Sequence, residues 1–258
     1  MSTLALAVRD SNTMIRRQLK RILRYPSMTV QLVITPVIML LLFVYVFGGT
    51  LGAGLGGGRG TYVNYVLPGI LLMSAAMAAT GTAVMVATDM TEGIIARFRT
   101  MRISRASVLT GHVVGSVVQQ VLGMAVVIGI ALAIGFRPHA SLLDWLGAAG
   151  LLTLLAVAIT WLAVALGLKS PTPEAASNAP MPLILLPFLG SGFVPTSSMP
   201  TVLRWFAEYQ PFTPVMQTVR GLLLGTPIGN NGVIALAWCV GIGLVSFLWA
   251  KATFNKAA

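Results

Sequence analysis

Gly52, Gly54 and Gly57 satisfy the G-x-G-x-x-G spacing that lets a backbone approach a pyrophosphate. That chemistry needs a strand before the glycines, a helix after them and a carboxylate about 20 residues on. Here a long apolar run precedes them, and the stretch LGAGLGGGRG is saturated with glycine. It reads as a flexible loop, with Gly48 and Gly52 small enough to aid helix contact. Gly167-Leu168-Lys169-Ser170 is the nearest fragment to a nucleotide-phosphate loop, but no glycine stands five residues before Gly167. Neither H-E-x-x-H nor G-x-S-x-G occurs, which leaves no hydrolase signature. The single cysteine, Cys239, can form neither an intrachain disulfide nor a cysteine cluster for a metal. If ATP drives this protein, another polypeptide must bind it.

Proton- and ion-coupled pumps place carboxylates or histidines inside their spans. The six acids here, Asp10, Asp89, Glu92, Asp144, Glu174 and Glu208, all fall near the ends of apolar runs or outside them. His112 lies near the start of one such run and His139 in a turn, where each reads as an interfacial histidine. Ser116, Gln119 and Gln120 are the polar residues inside a run, and in lipid such groups seek hydrogen bonds between helices.

The elements that carry these residues are set by composition. Of 258 residues, 56% are hydrophobic and 9% charged, with mean hydropathy +0.87. A soluble domain carries about 25% charged residues, so a core of this size could not hide so much apolar surface. The chain is an all-α polytopic membrane protein, one transmembrane domain over residues 1–258. Spanning helices need about 20 apolar residues, and six segments qualify: 28–47, 63–88, 108–136, 143–168, 175–194 and 232–250. The second and third are long enough to tilt. The fifth contains Pro180, Pro182 and Pro187 and is expected to be kinked or partly broken.

A net charge of +11 invites a nucleic-acid reading, but the distribution points to membrane topology instead. With both termini in the cytoplasm, thirteen of the seventeen Lys and Arg residues lie inside. Six precede the first span, four fall in 97–105, and the others are Lys169, Lys251 and Lys256. Arg59, Arg137, Arg204 and Arg220 lie outside. The start does not read as a cleavable signal peptide, because its charged region is long and no small-residue cleavage site follows. Within 1–27, Ile15, Leu19, Ile22 and Leu23 share one helical face while Arg16, Arg17, Lys20, Arg21 and Arg24 take the other. This predicts a cytoplasmic interfacial helix drawn to anionic head groups and ended by Pro26.

Two further segments are amphipathic. Between spans two and three, Thr91 and Glu92 offer a helix start, followed by Ile94, Ile95 and Phe98 among Arg97, Arg99 and Arg102. A short helix that inserts into a partner's groove and a basic loop that only fixes topology both fit this pattern. The stretch 187–225 is broken by Pro195, Pro200, Pro211 and Pro214, with Arg204, Glu208 and Arg220 among aromatic and aliphatic residues. It is too polar to cross a bilayer and too apolar for an ordinary loop. Residues 195–228 are therefore expected to lie at, or dip into, the external membrane surface.

Both segments carry a resemblance. Glu92-Gly93, Arg97-Phe98-Arg99, Ser104-Arg105, Leu109 and Gly111 are similar to the cytoplasmic connection of the membrane subunits of ABC type-2 transporters. Phe193-x-Pro195, Met199-Pro200, Leu203, Gln210-Pro211 and Arg220-Gly221-Leu222 resemble that family's late signature, most closely in permeases of the daunorubicin-resistance type. Gln210 stands where Asn is usual, and Ile94-Ile95 replace a more polar stretch.

The resemblance implies an exporter of hydrophobic or amphipathic substrates in a bacterial plasma membrane. It would have two such permeases, identical or sister, and two ATPase subunits that hold ATP and Mg; this chain itself would hold no cofactor. It also implies a coupling helix after Glu92, with Asp89, Glu92, Gly93, Arg97, Phe98, Arg99, Ser104 and Arg105 facing the ATPase. Short external re-entrant helices would cap the path, with Phe193, Pro195, Met199, Pro200, Pro211, Arg220 and Gly221 forming a gate.

Overall fold

A computed structural model describes residues 26–92 and 105–256. The interfacial helix expected within 1–27, with Arg16, Arg17, Lys20, Arg21 and Arg24, lies outside these residues. So do Gly93, Arg97, Phe98, Arg99 and Ser104 of the expected coupling helix. Every regular element among the described residues is helical.

The described residues begin with α1 (Pro26–Leu42). The helix runs past Pro36 into a π-helical turn, Phe43–Phe47, and then α2 (Gly48–Gly54), a run apolar enough to cross a membrane from Val33 to Gly54. The glycine-rich loop closes a tight turn: Gly52 abuts the backbone of Gly58, and Gly56 takes φ +75°, where a side chain would be strained. α3 (Arg59–Thr91) follows with 33 residues, about 50 Å of helix against a hydrocarbon core of about 30 Å. It is buried along most of its length and packs against α1 and against the helices Arg105–Ala133, Leu142–Lys169, Pro173–Asn178 and Phe212–Leu224.

α4 (Arg105–Ala133) and α5 (Leu142–Lys169) form the next hairpin. Ser141 starts α5 through a capping box with Asp144: the Ser141 N–H and hydroxyl donate to the carboxylate at 2.9 and 2.7 Å, and the Asp144 N–H donates back. Ser141→Ala is expected to lower stability by about 1 kcal/mol. Thermal unfolding in detergent would measure it, and an unchanged midpoint would show the box contributes nothing.

The fifth expected span is not a continuous helix. It opens as α6 (Pro173–Asn178), capped by Thr172, whose hydroxyl accepts the Ala175 N–H at 3.2 Å. The Glu174 backbone and the Thr172 hydroxyl hold the Glu174 carboxyl below the usual carboxylate range. α7 (Met181–Leu185) is a single turn, and residues 186–194 run on in turns. Pro180, Pro182 and Pro187 remove three donors that a helix would need, while Gly190 lets the Gln210 and Thr213 side chains approach and Gly192 lets the backbone of Gly69 approach. A 3-10 turn, Thr196–Ser198, leads to α8 (Thr201–Tyr209) and α9 (Phe212–Leu224), which Gly225 ends at φ +70°. α10 (Asn231–Lys256) closes the bundle against α5 and α9.

Among the described residues, five helical runs are therefore long and apolar enough to cross a membrane: Val33–Gly54, Arg59–Thr91, Val113–Ala133, Leu142–Lys169 and Asn231–Phe254. The turns 55–58, 134–141 and 225–230 join antiparallel neighbours and share one end of the bundle, the hairpin end. Glu92, the start of α4 and residues 170–172 share the other. Small residues bring helices close: a Cβ at Gly167 would lie 2.5 Å from the Ala83 carbonyl oxygen. Outward faces are apolar, with Val233, Val245 and Leu248 on α10 more than half exposed, as lipid contact requires.

Candidate functional site

Residues 186–194 pose a physical problem. Gly192 packs on Gly69, which lies six residues, about 9 Å, inside the apolar stretch of α3 that begins at Val63. Backbone outside a helix is tolerated at that depth only where protein or water satisfies its polar groups.

Side chains from α3 and from the region around α9 supply the partners. The Leu186 carbonyl accepts from Gln210 Nε2 at 3.2 Å, and the Ser191 N–H donates to Thr213 Oγ1 at 3.2 Å. The Ser191 carbonyl accepts from Arg220 Nη2 at 2.8 Å, and the Phe193 carbonyl from the Tyr62 hydroxyl at 3.2 Å. Phe188 and Leu189 donate their N–H groups to Leu185. The turn is thus held by four side chains that lie far from it in sequence.

Arg220 also ties the turn to α3. Its Nε and Nη2 donate to the Tyr65 carbonyl at 3.3 and 2.9 Å, and the guanidinium lies 3.9 Å from the centre of the Tyr65 ring. Cation–π contact and two carbonyl oxygens solvate the charge. Gln210 does double duty. Its Oε1 accepts the Phe212 N–H at 2.9 Å, one of the donors that the first turn of α9 leaves over, while Nε2 also donates to Thr213 at 3.0 Å. Phe188 and Phe193 stack at 4.4 Å, and Phe43 of the π-helical turn lies 4.4 Å from Phe193, so the first span is joined to the same turn.

Of the expected gate residues, the structure brings Phe193 and Arg220 to this turn. Gly221 is buried beside it in α9, where a Cβ would meet Ile228 at 2.6 Å; its lack of a side chain lets the turn 225–230 fold back. Pro211 precedes α9, removing a donor that the first helical turn would leave unpaired. Pro195 and Pro200 precede the 3-10 turn and α8, and Met199 lies between them; these three form the connector that follows the buried turn. On α8, Arg204 and Glu208 form an exposed ion pair at 2.8 Å, a weak contribution in such surroundings.

At the opposite end, Asp89 is buried in the last turn of α3 and Glu92 is exposed just beyond it. Arg105 opens α4. The polar residues of the third run serve as interhelical joints: Gln120 donates to Thr160 at 2.9 Å, and Thr82 to Ser116 at 3.0 Å.

Sequence reasoning did not find Tyr62, Tyr65, Gly69, Ser191, Gly192 or Thr213. The one signal for them was local, the run Gly190-Ser191-Gly192 between Pro187 and Pro195. It marks a break in an apolar segment but says nothing of what fills it.

Residues 10–224 match the ABC-2 type transporter family, and the chain belongs to that family. It is 28% identical over 244 residues to the daunorubicin resistance ABC transporter permease protein DrrB1 of Streptomyces coeruleorubidus, covering 94% of this chain and 84% of that protein. It is 23% identical over 180 residues to the probable doxorubicin resistance ABC transporter permease protein DrrC of Mycobacterium tuberculosis, covering 70% of this chain and 65% of that one. The chain is accordingly a multi-pass membrane subunit of an ABC transporter, a transport component rather than an ATPase.

Proposed function

We propose that this chain is the permease of an ATP-driven exporter that moves an amphipathic drug, antibiotic or lipid out across a bacterial plasma membrane. The observation that carries the reading is the similarity to a daunorubicin resistance permease along 94% of the chain. Two permeases, identical or sister, pair with two ATPase subunits that hold ATP and Mg. Both termini lie in the cytoplasm, as the charge asymmetry favours, so the hairpin end faces outward. Residues 175–194 then make a further, broken crossing, six in all, and 195–228 a re-entrant segment on the external side.

In this reading the segment 89–105 receives the ATPase. Closure of the nucleotide-binding subunits pushes on Asp89, Glu92, Gly93, Arg97, Phe98, Arg99, Ser104 and Arg105 and is transmitted along α3. That helix is suited to the task because it packs at its far end on the buried turn held by Arg220 and Gln210. The turn, with Phe193 and Gly221, forms the gate, and Pro195, Met199, Pro200 and Pro211 shape the connector over it. No side chain of this chain performs covalent chemistry.

The test uses the permease co-expressed with its ATPase partner. Combined Glu92→Ala and Phe98→Ala should cut drug-stimulated ATP hydrolysis at least about tenfold, equivalent to ~1.4 kcal/mol of coupling. Thermal stability of the isolated permease should not change. If association and transport survive intact, the coupling role is wrong. A carrier-lipid exporter of the same family is the second reading; stimulation by a polyprenyl-linked glycan and not by a cationic drug would select it. Transport without any ATPase would select an ATP-independent carrier instead.

A further inference from the structure

Among the described residues, three arginines at the hairpin end meet no carboxylate. Arg59 lies over the Tyr45 ring at 5.5 Å. Arg137 donates through Nη1 to the Leu132 and Phe136 carbonyls at 2.8 and 2.9 Å, and its backbone N–H bonds Asn64 at 3.2 Å. Arg220 donates to the Tyr65 and Ser191 carbonyls. The carboxylates at this end are already engaged among the described residues, Asp144 by Ser141 and Glu208 by Arg204. Carbonyl oxygens and ring faces solvate these cations without neutralising them, so the end carries uncompensated positive charge.

Arg220 is the best placed of the three to take a ligand. Its bonds leave from Nε and Nη2, while Nη1, with two N–H groups, has no partner among the described residues. Two carbonyls and the Tyr65 ring fix the guanidinium plane, so little side-chain freedom remains to be lost on binding. The side chain is largely enclosed by protein and keeps only partial exposure. Its level is also informative. Tyr65 lies two residues, about 3 Å, past the start of the apolar stretch of α3. Together with Trp145, three residues into α5, it marks the boundary where aromatic side chains meet lipid head groups. A fixed cation at that boundary, with an open donor and no protein counter-ion, matches a phosphodiester oxyanion.

We propose that Arg220, supported by the field of Arg137 and Arg59, binds the phosphodiester of an anionic phospholipid in the leaflet at the hairpin end. Nη1 donates to the non-bridging oxygens while the acyl chains lie along the exposed apolar faces of the bundle. The inference concerns the membrane subunit itself and does not depend on which substrate it exports.

The experiment is native mass spectrometry of the full-length chain, equilibrated in detergent with equal amounts of phosphatidylglycerol and phosphatidylcholine. Wild type should retain phosphatidylglycerol preferentially, and Arg220→Gln should weaken that retention about fivefold, as expected for one interfacial cation. Retention of phosphatidylcholine, which offers the same phosphodiester but carries no net charge, should be weak in wild type and fall less in Arg220→Gln than that of phosphatidylglycerol. The basic residues of the N-terminal run contribute the same background to each, so the difference reports Arg220. Millimolar inorganic phosphate should leave retention unchanged. Arg220→Lys, which keeps the charge and gives up the planar fork, should fall between the two and serves if the glutamine variant does not fold. The proposal is overturned by equal lipid ratios in wild type and Arg220→Gln, or by Arg220→Lys matching wild type. Displacement by free phosphate would assign the site to a soluble anion and overturn it equally.

Discussion

Gly69→Ala should dislodge the buried turn and cost about 3 kcal/mol, an unusually large effect for one added methyl group. A Cβ at this position would lie 2.7 Å from the Gly192 carbonyl oxygen, 2.8 Å from its Cα and 2.9 Å from its carbonyl carbon. All three are backbone atoms, so no side-chain rotation can relieve the overlap and the whole turn must retreat from α3. Retreat in turn pulls the Ser191 carbonyl from Arg220 and the Phe193 carbonyl from Tyr62. Gly192→Ala meets the Pro187 carbonyl oxygen at 2.6 Å, and the pair should be strongly non-additive, since either methyl group alone already opens the contact. Gly81→Ala is the internal control. It sits exposed on the same helix with nothing within 4 Å of a new Cβ and should be neutral or slightly stabilising. Thermal unfolding and efflux are the readouts; equal behaviour of Gly69→Ala and Gly81→Ala would mean the packing is not as described.

Gln210→Leu is the second large effect, expected at about 2–4 kcal/mol with loss of efflux. Hydrogen bonds between side chains on membrane helices average only about 0.6 kcal/mol, because each group finds another partner when the first is removed. Gln210 is different because its partners belong to backbone with no helical alternative. Removing it strands the Leu186 carbonyl and the Phe212 N–H together, and it is itself only 4% exposed. Gln210→Asn separates the two roles. Gln210 has extended backbone, φ −66° and ψ 150°, so an asparagine there can still accept the Phe212 N–H two residues on, as in an Asx-turn. One methylene shorter, it no longer reaches Leu186. A loss of about half the leucine effect is expected, and a loss as large as that of leucine would show that the Phe212 bond is not the contribution retained.

These two predictions bear on how the proposed exporter would work. A turn held by Arg220, Gln210, Thr213 and Tyr62 has every partner on α3 or in 210–220. Any movement of α3 relative to α9 changes several bonds at once. Packed elements of this sort shift between discrete arrangements rather than deforming smoothly, which suits a gate.

Much of the molecule is legible from sequence alone. Apolar length located the helical runs Val33–Gly54, Arg59–Thr91, Val113–Ala133, Leu142–Lys169 and Asn231–Phe254, because hydropathy is summed over neighbours in the chain. Pro180, Pro182 and Pro187 announced that the segment 175–194 would break, since a missing N–H is a property of the residue itself. The glycine-rich stretch 51–60 announced a loop, but the structure confines the loop to 55–58, because packing carries helix through Gly54 and from Arg59 onward. The late signature named the family from residues such as Gln210-Pro211 and Arg220-Gly221, without showing what those residues touch.

What the broken segment rests on was settled only by tertiary structure. Gly69 meets Gly192, Tyr62 meets Phe193 and Tyr65 meets Arg220 across more than 120 positions of chain. No local pattern records such pairings. A buried carbonyl accepts from any donor the fold delivers, and the sequence states only that a donor exists. Membrane residence, helix count to within the broken segment, and family therefore follow from residues read in order. The lock on the turn and the unneutralised Arg220 follow from which helices stand side by side.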